Sequence, residues 1–303
     1  MHRRDALRTV GTAGALGVAG LLGAVVSGGS GRETGSRDDG DHAAFGGTRS
    51  SEEPTPLTVA AATTVHDSGL FASLARGFED RTGTAVHGIV RGTAGALAVA
   101  RQGDCDAVVA HAPELEAAFL ADGHGTARLP FMVNDFLLVG PRSDPATVAD
   151  TDPATALSRI AAAGETFLSR GDGSGTHQRE LRLAEAAGVE ISGDWRRENG
   201  QGMGSTLVMA GQLGAYTLTD RGSYLAVDHD GLTVHIKGGI DDPRPVLRNE
   251  YSLIVTNPER HDVAADAVGA FGDYLTGDGA DRIEAFRIDG SRAFRPTSER
   301  NGA

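Results

Sequence analysis

Between residues 57 and 123 the chain repeats one pattern three times: a short apolar run, a break, then a segment with apolar residues at helical spacing. LTVAAATT (57–64) precedes SGLFASLARGFEDRTG (68–83), in which Leu70, Leu74 and Phe78 share a face before Gly83 ends the period. AVHGIV (85–90) precedes GTAGALAVARQGD (92–104), and DAVVAH (106–111) precedes PELEAAFLADG (113–123), which a proline opens. Each pair reads as strand then helix. Strands separated by helices join through right-handed crossovers and lie parallel, so the pattern demands an α/β architecture.

FMVNDFLLVGP (131–141) is a longer apolar strand, after which the pattern restarts. TFLSRGDGSGTHQRELRLAEAAG (166–188) reads as strand, loop and helix, with the helix starting near Thr176. GQGMGSTLVMAGQLG (200–214) is a helix, and AYTLTDRGSYLA (215–226) a strand leading to a helix capped by Thr219 or Asp220. A second long strand, NEYSLIVTNP (249–258), closes at Pro258, and DVAADAVGAFGDYLTGDG (262–279) is the last amphipathic helix.

Two lobes follow, each expected to be a mainly parallel sheet flanked by helices. Residues 56–138 and 250–303 form lobe I, and residues 139–249 form lobe II. Crossing segments near 134–139 and 249–255 serve as the hinge. Open parallel sheets bind ligands at the carboxyl ends of their strands. Here those ends are Thr63-Thr64, Gly92-Thr93 and the stretch from Arg170 to Thr176, drawn from both lobes.

The chain begins MHRRDALRTV, and Arg3-Arg4 stand before a Gly- and Ala-rich apolar segment, the shape of a twin-arginine export signal over residues 1–30. Residues 31–55 are rich in Gly, Ser and Asp with few large apolar side chains, which predicts a disordered spacer outside the membrane. A formal charge of −13 excludes a nucleic-acid partner, because phosphate backbones require a basic face. Of the 28 basic residues only Lys237 is a lysine, and the acidic balance suits solubility at high salt. The lone cysteine, Cys105, rules out an internal disulfide and is expected as a small buried residue.

RGDGSGTH (170–177) follows a strand and opens a helix, so the N–H groups of Gly173, Ser174, Gly175 and Thr176 are expected free at a positive helix end. Arg170 adds charge and a planar fork of donors suited to an oxyanion. Ser174 and Thr176 add hydroxyls, as do Thr63, Thr64 and Thr93 at the other two strand ends. A plainer account has Ser174 or Thr176 capping the helix while Arg170 pairs with Asp172. Asp67, Asp104, Asp106, Asp135 and Asp220 show no carboxylate pairing and read as caps or solvated loop charges, and His111 as a strand-end residue with one hydrogen bond.

Enzymatic motifs fit poorly. Ser174 lacks the Gly spacing of a nucleophile elbow. No Gly-Lys-Ser/Thr exists for a phosphate loop. GQGMGS (200–205) departs from a dinucleotide fingerprint at Ser205, and the ten histidines show no His-Glu-x-x-His pairing. No metal or cofactor is expected.

From about Leu57 to Leu275 the chain resembles the periplasmic tungstate-binding proteins of ABC transporters, within the type II periplasmic binding-protein fold. DSGL (67–70), GTAGAL (92–97), GDCDAVVAHAPELE (103–116), NDFLLVGP (134–141), SRGDGSGTH (169–177), GQGMGSTLVMA (200–210) and AYTLTDRGSYLA (215–226) carry the resemblance. It implies a monomeric exported receptor that closes two lobes on tungstate or molybdate and delivers it to a membrane permease with its ATPase. It further implies Thr63, Thr64, Thr93, Arg170, Ser174, Gly175 and Thr176 as ligand donors. The family's Thr-Thr-Thr-Ser run before the first helix reads Ala61-Ala62-Thr63-Thr64 here. Two other readings stand beside it: a phosphate-type receptor, with Asp172 accepting the proton of its ligand, and an exported hydrolase.

Overall fold

The computed structural model describes residues 55–241 and 244–297. The expected export signal, and the spacer as far as residue 54, lie outside the described residues.

Strand β1 (Leu57–Ala62) lies between β2 (Val86–Arg91), at the sheet edge, and β3 (Ala107–Ala110), parallel to both. Its residues are apolar on both faces because both faces are covered. Val59 and Ala61 point into one cluster with Leu70, Leu74, Phe78 and Phe271, while Ala60 points into another with Leu97, Val108 and Phe119. Burying each large apolar side chain contributes about 1.5–3 kcal/mol, so these two layers hold β1 in place. Helices α1 (Thr63–Asp67), α2 (Leu70–Thr82), α3 (Thr93–Arg101) and α4 (Pro113–Ala121) connect the strands.

Strand β4 (Gly125–Pro141) then runs for 17 residues and changes partners along its length. Its first part pairs antiparallel with β9 (Arg248–Thr256) as far as Asp135↔Arg248. From Phe136 it pairs with β7 (Thr217–Asp220), and from Leu137 with β8 (Leu232–Lys237). Beyond the switch, Phe136 and Leu138 enter one cluster with Ile160, Phe167 and Tyr216, whereas Leu137 and Val139 enter another with Met203 and Leu207. One continuous strand, alternating with period two, thereby serves the cores of both lobes. Between β4 and β9 lie α5 (Pro153–Ala163), β5 (Phe167–Ser169), α6 (Gly175–Ala187), β6 (Arg196–Glu198), α7 (Met203–Leu213) and α8 (Arg221–Ala226); α9 (Ala265–Thr276) and α10 (Asp278–Ala285) follow.

The chain is a two-lobed α/β protein of mixed rather than mainly parallel sheet. Parallel pairing holds for β2-β1-β3 and β5-β6, while every ladder made by β4 or β9 is antiparallel. A strand that carries the chain out to the second lobe and one that brings it back must run in opposite directions. A second correction concerns the first strand end. Thr63 and Thr64 do not finish β1 but open α1, and Gly69, at φ 81°, breaks the path before α2. The helix read from Ser68 is α2, starting at Leu70, and it is preceded by the unexpected short α1, from which the left-handed Gly69 separates it.

Candidate functional site

The loop between β5 and α6 turns on Gly171 (φ 62°) and Gly173 (φ 70°), both in the left-handed region. Ser174 is the N-cap of α6 and accepts from the His177 N–H at 3.3 Å. Two of the N–H groups expected to be free are engaged: Gly173 donates to His177 Nδ1 at 3.0 Å and Ser174 to Asp172 Oδ1 at 3.0 Å. Gly175 and Thr176, at the first two helical positions, have no intrahelical acceptor. Behind the loop, Arg196 donates to Glu180 (2.5 Å), Glu198 (2.7 Å) and Ser169 Oγ (2.9 Å). Burial and the Arg196 charge hold His177 below its ordinary pKa, which suits Nδ1 as an acceptor.

Arg170 is 2% exposed. Its Nη2 donates to Asp172 Oδ2 at 2.6 Å and, across to lobe I, to Thr63 Oγ1 at 3.2 Å, while Nε donates to the Gln201 carbonyl at 3.3 Å. The plainer account is therefore partly right, since Ser174 caps and Arg170 pairs with Asp172. It leaves three buried donors unexplained. Arg170 Nη1, Thr93 Oγ1 and Thr176 Oγ1 are buried without a hydrogen-bond partner. Each such group costs about 1–3 kcal/mol, and the charged one more.

The three belong to one place. A Cβ on Gly92, next to Thr93, would lie 3.3 Å from Asp172 Oδ2 and 3.7 Å from Ser174 Cβ. One on Gly173 would lie 3.2 Å from Ala94 Cβ, and one on Gly175 2.5 Å from the His111 carbonyl oxygen. The start of α3 in lobe I thus abuts the start of α6 in lobe II. Thr64, fully buried, lies 3.0 Å from Tyr251 OH and 3.5 Å from His111 Nε2.

Sequence reasoning missed the support beneath Thr64. Asn134 and Asn249 face each other across β4 and β9, joined at 2.7 Å, with His111, Tyr251 and Asp220 around them. His111 makes contacts through both ring nitrogens rather than one, and burial pushes its pKa down to about 4. Asp220, expected as a cap or a solvated charge, is the cap of α8 and fully buried. Asp135 and Asp106 are likewise buried, the first held by Arg221 at 2.5 Å and the second by the Thr58 and Ala264 N–H groups. The signal was visible: an amide inside an otherwise apolar strand needs a buried partner.

The junction is lined with donors and few open acceptors. Both oxygens of Asp172 are engaged, and the Ser174 hydroxyl accepts from the helix. Among the described residues no cluster of three or more His, Cys, Asp or Glu side chains could hold a metal ion. Such a wall suits a small anion without a proton to give.

Fold and junction together define a two-lobed binding protein, and the chain belongs to the PBP superfamily, whose domain profile matches residues 48–279. It is similar to a Haloferax volcanii protein provisionally named an ABC transporter anion-binding protein, at 39% identity over 302 residues, 98% of this chain and 86% of the other. The tungstate-binding protein TupA of Peptoclostridium acidaminophilum is 34% identical over 75% of this chain and 79% of its own length. The crystal structure of the tungstate ABC transporter from Geobacter sulfurreducens superposes with a TM-score of 0.69 at 40% identity, covering 78% of this chain and 98% of that one.

Proposed function

We propose that this protein is the substrate-binding component of an ABC transporter and binds tungstate, or molybdate, between its lobes. Thr63, Thr64, Thr93, Arg170, Ser174, Gly175 and Thr176 surround the anion, with the backbone N–H groups of Gly175 and Thr176 among the donors. The protein acts outside the cytoplasmic membrane as a monomer, exported by its twin-arginine segment, and hands the anion to a permease and its ATPase. It carries no cofactor and catalyses no reaction. Among the described residues no helix is long and apolar enough to cross a membrane.

One observation carries the reading: three buried donors from the two lobes, Arg170 Nη1, Thr93 Oγ1 and Thr176 Oγ1, have no partner. A tetrahedral dianion accepts from all of them and removes the penalty. Relatives named for anion and tungstate binding support the same chemistry. Asp172 accepts one bond at each oxygen, from Arg170 and from Ser174, and a carboxylate oxygen can take a second, so competition by phosphate decides between a bare dianion and a protonated phosphate. Ser174 argues against a hydrolase, because the nearby His177 Nδ1 accepts from Gly173 rather than from the hydroxyl.

Calorimetric titration with tungstate, molybdate, sulfate and phosphate tests the reading. Arg170→Ala is expected to weaken tungstate binding about tenfold or more, the worth of a hydrogen bond to a charged group. An unchanged affinity removes Arg170 from the site, and phosphate competing at equal concentration replaces tungstate with the phosphate reading.

A further inference from the structure

Beside the unpartnered donors, a chain of buried hydrogen bonds crosses from lobe II to lobe I, and its direction is determined at each link. It starts at buried Asp220, whose Oδ1 accepts from the Ser223 N–H at 3.1 Å and so acts as an acceptor. Asn134 Nδ2 therefore donates to Asp220 Oδ1 at 3.1 Å, and Asn134 Oδ1 is left to accept from Asn249 Nδ2 at 2.7 Å. With its nitrogen so placed, Asn249 also donates to Tyr251 OH at 3.1 Å and presents Oδ1 to His111 Nδ1 at 2.9 Å. His111 Nδ1 must then carry the proton, which leaves Nε2 bare in the neutral ring. Tyr251, already accepting from Asn249, turns its own O–H onto Thr64 Oγ1 at 3.0 Å.

Thr64 thereby accepts one bond and retains a proton to give. Its internal acceptor, His111 Nε2, stands at 3.5 Å, too far for a good hydrogen bond. We propose that Asp220, Asn134, Asn249, His111 and Tyr251 form a positioning relay that makes Thr64 a dedicated donor to the oxyanion and ties that donor to both crossing strands. The inference rests on the oxyanion reading above.

Three features support it. No member is exposed above 3%, so the polar links run in a low dielectric where their orientation is strongly held. His111 stacks on Tyr251 with centroids 4.9 Å apart, which fixes the ring plane. Burial, aided by the Arg170 charge, keeps His111 neutral against Asn249, Asp220 and Asp172, and burial together with the Asp220 charge keeps the Tyr251 phenol protonated. Asn134 and Asn249 sit opposite each other where β4 leaves β9, so a shift of either strand reorients Thr64.

A double-mutant cycle on tungstate affinity tests the relay, because a residue acting through Thr64 has no effect once the Thr64 hydroxyl is gone. Thr64→Val is expected to weaken binding about tenfold, and Tyr251→Phe about threefold or more. The double variant should bind as Thr64→Val does. Additive losses, or a Tyr251→Phe protein with wild-type affinity, overturn the relay while leaving the oxyanion reading intact. Failure of the wild-type protein to bind any of the four oxyanions overturns both. Should Tyr251→Phe not fold, nitrogen NMR of the wild-type imidazoles decides: His111 must be the Nδ1–H tautomer, and a proton found on Nε2 overturns the proposal.

Discussion

On the lobe II side of the junction Arg170 is backed by formal charges, and on the lobe I side the groups that touch Thr64 are neutral. In lobe II, Arg170 is balanced by Asp172 and backed by Arg196, Glu180 and Glu198, on a loop whose shape depends on two left-handed glycines. Across from it, Thr64 rests on His111, Tyr251 and Asn249, all neutral, with Tyr251 and Asn249 on β9 and His111 in the short connection after β3. The contrast separates two tasks. Charge supplies attraction in any direction, whereas hydroxyls and amides supply direction and hold little charge. A site with both can take a dianion strongly and still demand a particular arrangement of its oxygens.

Gly175 is where the two sides touch, and altering it is the strongest way to break their cooperation. Its backbone is helical, so Gly175→Ala is compatible with α6 and a better helix former. The new methyl would nevertheless meet the His111 carbonyl at 2.5 Å and the ring at 2.6 Å. Backbone cannot give way, so α6 must withdraw from lobe I. Overpacking of this kind costs about 1–3 kcal/mol, which predicts tungstate binding roughly tenfold to a hundredfold weaker. Thermal unfolding without ligand should stay near wild type, because opening relieves the clash. A variant that binds as tightly as wild type would show that the lobes bind without meeting at this contact.

Much of this was legible in the strand–helix alternation, which placed β1 to β4 and the loop from Arg170 to Thr176 from periodicity alone. Other parts were illegible for physical reasons. Strand β8 is interrupted by a shift in register against β4, whereas helix α5, with Asp152 as cap and Pro153 first, does carry a readable start signal, as the helix opened by Pro113 does. The amides of Asn134 and Asn249 stand in plain view within apolar runs, but only folding places them in register with each other. Periodicity reports which face a residue takes, whereas a hydrogen-bond network depends on distances between elements far apart in the chain.

Acid sharpens the comparison from the neutral side. The folded-state pKa of His111 is lowered from 6.5 to about 4, chiefly by burial, with Arg170 adding to the shift and Asn249, Asp220 and Asp172 opposing it. Between those values the unfolded chain binds a proton that the folded chain refuses. Stability must therefore fall as pH drops from 6.5 towards 4, by up to about 1.4 kcal/mol per unit, with no contribution above 6.5. Buried Glu116 and Glu180, whose pKa values are raised, act in the opposite sense, so the comparison is with His111→Gln. Urea unfolding at pH 7 and pH 5 should show a smaller difference in that variant. Parallel pH curves would mean that His111 takes up its proton in the folded state as readily as in the unfolded one.

The smallest effect concerns the two alanines where the resembling family carries hydroxyls. Ala61 and Ala62 are fully buried within the cluster around Leu70 and Phe78, and Ala62, the N-cap of α1, offers the helix no side-chain hydrogen bond. A hydroxyl at position 62 lies before the first turn of α1, within reach of the helix N–H groups. Ala62→Ser should therefore act as a cap, raising stability by about 1 kcal/mol or less, and change tungstate affinity by less than about twofold. The opposite pattern, tighter binding at unchanged stability, would make position 62 a ligand donor and move directional recognition partly out of the Thr64 network. Because Thr64 already has its proton directed by Tyr251, the lobe I side needs no further hydroxyl to orient the anion, and the cap is the outcome this geometry favours.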